Sequence, residues 1–276
     1  MVNSPSGMCS EAASREPRAA RRSHSDWRQR SPTSAGSARS DPRPEARGPG
    51  PGAPRMTDII LGIDTTTEAC SVALAVGGHV RQMLVIEPRG HLAQVPRMIA
   101  ALLAEAGVSR ADIGNVVVSR GPGSFTGVRI GIGYAQGLAF GLDVPLLGVS
   151  TLAALAQGAA RRGGRGATLV ALDARMGELY WAAFELTPLG VERLSDDALA
   201  APAVLQLPRA AAWSAVGPGA VVHAATLRAT LGEDLMVEAM ASLPEARDLI
   251  ACAAAGVASP LGGVPVYLRD EVVSRP

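Results

Sequence analysis

Residues 61–76 read LGIDTTTEACSVALAV, and residues 170–185 read VALDARMGELYWAAFE. Each stretch opens with an apolar run that closes on an aspartate, Asp64 in the first and Asp173 in the second, 109 residues further along. A polar turn follows in both, and then a second apolar run. Short apolar runs bounded by turn residues are the pattern of buried strands. The two stretches share few identical residues, so the repeat lies in the order of features. That order predicts two related α/β halves.

Working outward from the first stretch, residues 59–64 read as a buried strand, and residues 69–76 and 80–86 as a pair of strands. Gly77-Gly78 joins that pair and supplies the positive φ angles of a tight hairpin turn. Leu92, Val95, Met98, Ile99, Leu102, Leu103 and Ala106 recur at helical spacing, with Pro96 early in that helix. A strand at 116–119, the loop GPGSFTG at 121–127, a helix at 128–140, a strand at 145–149 and a helix at 151–160 complete the first unit. The second unit begins after the flexible stretch 161–166. Near its end, Ser242 and Glu245 have capping-box spacing ahead of a helix at 246–258. The predicted division is therefore 1–55, an extension; 56–165, the first half; and 166–276, the second half.

The extension differs in composition from the rest. Residues 1–55 hold 10 Arg, 10 Ser and 8 Pro with few aliphatic residues. Such a segment buries too little apolar surface to offset its ordering entropy and is expected to be disordered. Met56 is followed at once by a polar lead-in and a strand, which makes it an alternative translation start. The body from residue 56 carries 16 Arg against 20 Asp and Glu, a net charge near −4, with no lysine anywhere. An acidic body argues against a nucleic-acid surface of its own, because phosphate neutralisation needs clustered cations. Three distant cysteines, Cys9, Cys70 and Cys252, fit a reduced, cytoplasmic protein. No apolar run approaches the roughly 20 residues that span a bilayer.

GPGSFTG is a glycine-rich loop between a strand and a helix, where phosphates often bind. It is not a Walker A loop, which needs a lysine, nor a dinucleotide fingerprint, whose spacing differs. The hydroxyls of Ser124 and Thr126 stand at a helix start, where an anion would be stabilised, although composition alone favours a tight turn with a Ser or Thr cap. Asp64, Thr65 and Thr66 form a second polar turn able to hold a magnesium-bound phosphate, or to be an Asx turn entering a hairpin. Asp173 would face it from the other half. The four histidines are scattered: His91 would open a His-x-x-x-His metal pair, but Val95 occupies the fourth position along. No Ser/His/Asp set assembles, and Cys70 and Cys252 read as core thiols. Gly133, Gly137 and Gly141 recur every four residues through one helix, where each costs roughly 1 kcal/mol against Ala. Such a stripe serves close packing on the chain's own sheet or on a partner helix.

Taken together, ILGIDTTTEACSVAL, GPGSFTGVRIG, GLAFGLDVPLLGVSTL, ALDARMGELYWAAF and PVYLRDE resemble the TsaB (YeaZ-type) family from Met56 to the C-terminus. The resemblance implies an actin/Hsp70/sugar-kinase-like (ASKHA) α/β fold of two ribonuclease-H-like halves. It also implies a part in making N6-threonylcarbamoyladenosine at position 37 of tRNAs that read codons beginning with A. In that pathway a separate enzyme makes threonylcarbamoyl-adenylate from threonine, bicarbonate and ATP, and TsaD transfers the threonylcarbamoyl group. TsaB-like chains resemble a non-catalytic scaffold for TsaD, joined by a P-loop ATPase, TsaE. TsaD carries the His-x-x-x-His pair that this chain lacks, so no catalytic residue and no metal ligand is expected here.

By the same resemblance the partner surface lies on helices at 91–104 and 128–140, with His91, Leu92, Val95, Met98, Leu102, Arg129, Gly133, Gly137 and Phe140 as its residues. TsaD is the expected partner, with a homodimer through the same surface when TsaD is absent and tRNA met only through the complex. Asp64, Thr65, Thr66, Ser124, Thr126 and Asp173 would form a vestigial nucleotide site. ATP and magnesium are used by the complex and not required by this chain. The rivals are an ATPase or kinase-like enzyme of the same fold using Asp64 and Asp173, a glycoprotease, and a tRNA-binding module.

Overall fold

The computed structural model describes residues 59–87, 90–208, 210, 212–238, 242–259 and 263–269. The extension at 1–55, Met56 and the last two residues of PVYLRDE lie outside that set.

The first sheet contains β1 (Ile59–Asp64), β2 (Ala69–Val76), β3 (His79–Ile86), β4 (Asn115–Ser119) and β5 (Leu146–Val149), in the order β3-β2-β1-β4-β5. β1, β2 and β3 run antiparallel as a meander, and β4 and β5 add in parallel. Gly77 and Gly78 turn the hairpin with φ of 55° and 83°, which only glycine adopts readily. The second sheet uses β6 (Gly166–Asp173), β7 (Leu179–Thr187), β8 (Gly190–Arg193), β10 (Ser214–Val216) and β11 (Met236–Val237), in the order β11-β10-β6-β7-β8; β9 (Ala198–Ala200) pairs with β7. Read from the opposite edge, the second order repeats the first. β6 and β7 are antiparallel and β10 and β11 parallel, as are their counterparts. Asp64 faces Ser71 across the first hairpin and Asp173 faces Leu179 across the second. The repeat read from the sequence is thus a repeat of topology.

Among the described residues six α-helices complete the layers: α1 (His91–Ala106), α2 (Phe125–Leu142), α3 (Thr151–Arg161), α4 (Pro218–Val222), α5 (Ala224–Leu231) and α6 (Ala246–Ala254). α1 and α2 cover the outer face of the first sheet, burying Val95, Met98, Ile99, Leu102, Val128 and Ile132 with the β1, β2 and β4 side chains. α6 packs on the inner face of that sheet and α3 on the second sheet, and the two helices pack on each other. Their shared core joins Val117 and Val149 of the first sheet to Val170, Ala182 and Phe184 of the second. Leu169, Ala171, Ala220 and Leu227 fill the outer side of the second sheet beneath α4 and α5.

Arg161 ties the two inner helices together. Its Nε donates to Asp248 Oδ1 at 2.9 Å and its Nη2 to Glu245 Oε1 at 2.8 Å. This network displaces the predicted capping box. Glu245 is the N-cap residue of α6 but makes no side-chain cap bond, because its carboxylate also accepts from Gln82 Nε2 at 2.7 Å. Ser242 Oγ instead accepts from Arg162 Nη2 and donates to Glu238. The helix stops at Ala254 and not at 258, as Gly256 turns left-handed at φ 76°. Cys70 and Cys252 are buried thiols, and burial pushes them up to about 11 and about 12.

Candidate cleft and partner-facing helices

Asp64 closes β1 inside the protein, with no exposed surface. Its Oδ1 accepts from the Thr66 backbone N–H at 3.0 Å, an Asx turn, and Thr66 Oγ1 adds bonds of 3.1 and 3.2 Å. Burial lifts the carboxyl to about 6, against the pull of the Thr66 and Ser119 hydrogen bonds and of His91. Thr65 Oγ1 donates to Gly127 O at 2.7 Å, and the Ser124 N–H donates to Thr66 O at 2.7 Å. The Asp64–Thr66 turn and the GPGSFTG loop are therefore bonded directly to one another.

This contact accounts for two of the loop's three glycines. A Cβ on Gly123 would overlap Thr66 O, and one on Gly127 would overlap Thr65 O. Ser124 caps α2 through Gly127 N at 3.3 Å. Gly123 and Gly127 lack side chains because a second backbone presses against them. Ser124, Phe125 and Thr126 are exposed at the start of α2.

A cleft of about 920 Å³ opens between the halves, walled by 66–68, the 122–128 loop, the 172–176 turn, residues 266–269 and His91. Asp173 lines it, with its Oδ1 accepting from the Arg175 N–H at 2.8 Å. Asp64 does not line it. A magnesium ion held between Asp64 and Asp173 does not fit this arrangement, because the Asp64 oxygens are turned inward onto Thr66 and Ser119. Among the described residues no group of three His, Cys, Asp or Glu is placed to hold a metal. His91 opens α1 almost buried, its Nε2 without a hydrogen-bond partner.

The outward side of α1 and α2 differs from the predicted set. Val95, Met98 and Leu102 are at most 2% exposed and belong to the core beneath α1; their helical spacing marks the buried face, so they offer nothing to a partner. Leu92 is 67% exposed and Phe140 91%, and Arg129, Gly133 and Gly137 are exposed as well. Among the described residues, nothing lies within 4 Å of a Cβ built on Gly133, Gly137 or Gly141. The stripe is open and does not pack on its own sheet. Sequence reading missed Phe125 and Tyr267, whose rings meet at 5.8 Å beside Arg129. The PVYLRDE motif was the available signal, but its partner on α2 is 138 residues away in sequence.

Two sheets of matching strand order, packed through α3 and α6, define a mixed α/β protein of two topologically equivalent halves. Within that class, the family model described as TsaD, tRNA N6-adenosine threonylcarbamoyltransferase, matches residues 85–259. The chain belongs to that family and, within it, to the TsaB/YeaZ group. It is 52% identical over 132 residues to the tRNA threonylcarbamoyladenosine biosynthesis protein TsaB of Escherichia coli (strain K12), covering 48% of this chain and 57% of that protein. It is 43% identical over 123 residues to the same-named protein of Haemophilus influenzae, covering 45% and 52%. The chain thus spans about half the length of the curated relatives it matches. The solved structure of YeaZ from Pseudomonas aeruginosa superposes with a TM-score of 0.69 at 37% identity, covering 76% of this chain and all of that one. No helix among the described residues is long and apolar enough to cross a membrane.

Proposed function

We propose that this chain is a non-catalytic subunit of the assembly that adds the threonylcarbamoyl group to N6 of adenosine 37 in tRNAs reading codons that begin with A. It acts by binding and activating a TsaD-like catalytic subunit. The observation that carries the reading is the open glycine stripe of α2, bordered by Phe140. Three glycines on the exposed face of α2 each cost roughly 1 kcal/mol in helix propensity and gain no contact from the described residues in return. A partner helix approaching to backbone contact would use them.

In this reading ATP and magnesium serve the complex, a TsaE-like P-loop ATPase joins it, and tRNA is met through TsaD. Alone, the chain pairs with itself through the same face, and it works in the cytoplasm. The enclosed Asp64 supports a scaffold over an ATPase or kinase-like enzyme built on Asp64 and Asp173.

The test is a purified mixture of threonine, bicarbonate, ATP, the adenylate-forming enzyme, TsaD, TsaE and tRNA, with and without this chain. Modified adenosine should form only when this chain and TsaD are both present. Equal product without it overturns the reading.

A further inference from the structure

Residues 263–269 form an extended strap between the two halves. At its start Gln136 Nε2 of α2 donates to Gly263 O at 2.9 Å. The Val266 N–H then donates to Arg120 O at 2.8 Å, just beyond β4. The Tyr267 ring packs tilted against Phe125, and its hydroxyl accepts from Arg129 Nε at 2.9 Å. The Arg129 guanidinium lies 3.7 Å from the Phe125 ring centre, so the helix side of this anchor is a stacked aromatic–arginine cluster. At its far end the strap reaches the other half. Arg269 Nη2 donates to Ala174 O at 3.1 Å and to Glu178 at 2.6 Å, and its Nη1 meets Met176 Sδ at 2.9 Å.

The turn that Arg269 grips is held in an uncommon conformation. Arg175, Met176 and Gly177 are consecutive residues with φ of 65°, 55° and 77°. Left-handed conformations at non-glycine positions persist only where surrounding contacts impose them. Within the turn Ala174 N donates to Glu178 O at 2.9 Å and Glu178 N to Arg175 O at 3.1 Å; Asp173 Oδ1 accepts from the Arg175 N–H at 2.8 Å, and Arg269 adds bracing from the strap. The helix end of the strap is equally placed. Arg129, Gly133, Gln136, Gly137 and Phe140 fall on one face of α2 at helical spacing, so the anchors of the strap border the open glycine stripe.

We infer that the strap is a latch coupling the open face of α2 to the Asp173 turn across the cleft. Whatever loosens Tyr267 on α2 releases Arg269 from residues 174–178, and release of the turn frees Tyr267 in return, since coupling between two sites is reciprocal. This is a property of the isolated chain and does not depend on the function proposed above.

The experiment is amide hydrogen exchange on the full chain, followed by mass spectrometry, for the wild type, Tyr267→Ala and Arg269→Ala. Tyr267 makes no hydrogen bond or ring contact with residues 174–178, yet Tyr267→Ala should speed exchange at Ala174 and Glu178 at least about fivefold, the lower end of ordinary coupling. Arg269→Ala should speed exchange at Val266 and in the first turn of α2 to a similar degree. Amides within β6 report global opening and should not change. Where they do, Tyr267→Phe, which deletes only the hydroxyl, replaces Tyr267→Ala and must still speed Ala174. Exchange that rises only at the mutated end, in either variant, overturns the latch and leaves two independent anchors.

Discussion

Replacing Gly127 with alanine places a methyl group against the carbonyl oxygen of Thr65, a backbone atom that cannot rotate away. The 64–66 turn and the start of α2 must then separate. Overpacking of this kind costs about 1–3 kcal/mol. Separation also strains two hydrogen bonds, Thr65 Oγ1 to Gly127 O and Ser124 N to Thr66 O, both at 2.7 Å, each contributing about 0.5–1.5 kcal/mol. Alanine's better helix propensity returns at most about 1 kcal/mol. The net loss is about 3 kcal/mol, which for a protein of this size lowers Tm by roughly 6–12 °C. The same substitution at Gly137, ten residues along the same helix, meets open space. It should gain about 1 kcal/mol and raise Tm by roughly 2–4 °C. Thermal unfolding of the two variants beside the wild type measures both signs at once. A Gly127→Ala protein as stable as the wild type would refute the loop-to-loop account of the GPGSFTG glycines, and a lowered Tm for Gly137→Ala would show that the stripe is not open.

Because burial raises the Asp64 carboxyl from 3.8 to about 6, the folded protein keeps a proton there that the unfolded chain gives up. This contribution is whole below pH ~4 and is lost as pH rises through about 6, amounting to about 3 kcal/mol at most. Asp64→Asn should flatten that fall in urea midpoints measured from pH 4 to 7, whereas an unchanged slope would assign the fall to another group. Arg161→Ala leaves Asp248, whose side chain is 2% exposed, without its charged partner. Since Arg161 is itself one-third exposed, the expected cost is about 2–4 kcal/mol, below that of a fully buried pair, and urea denaturation at neutral pH would reveal it; an unshifted midpoint rules out the staple. Gly137→Leu should keep the circular dichroism spectrum of the wild type and melt no lower than it, while abolishing co-elution with TsaD. Undiminished co-elution would remove the stripe from the interface.

The first half was the more legible because its elements are long and its punctuation is unambiguous. Gly77-Gly78, the apolar run before Asp64 and the helical spacing from Leu92 to Ala106 each have one reading, and the structure follows them within a few residues. The second half builds its sheet partly from strands of two to four residues. Such strands are too short to show alternation and owe their existence to β6 and β7. Two further failures share a cause. Val95, Met98 and Leu102 were assigned outward on a helix whose apolar spacing could only mark its buried side. The glycines at 123 and 127 had a phosphate reading and a turn reading, whereas their reason is a contact with residues 65 and 66, which no local pattern records.

A duplicated architecture invites the idea that each copy could be cut out and kept. The placement of α3 and α6 says otherwise. α3 follows the first copy's last strand in the chain yet rests on the second copy's sheet, while α6, from the end of the chain, lines the first. Nine of the 11 residues of α3 are buried, so it is a helix with almost no solvent side. Severed at 161–166, the N-terminal fragment would carry α3 with nothing to cover it and lose the helix over its own inner sheet face. The C-terminal fragment would have the mirror-image defect. Neither fragment is a fold in miniature: each half holds a helix that the other half's sheet needs, and recovery of the fold from separate pieces would require both in one tube.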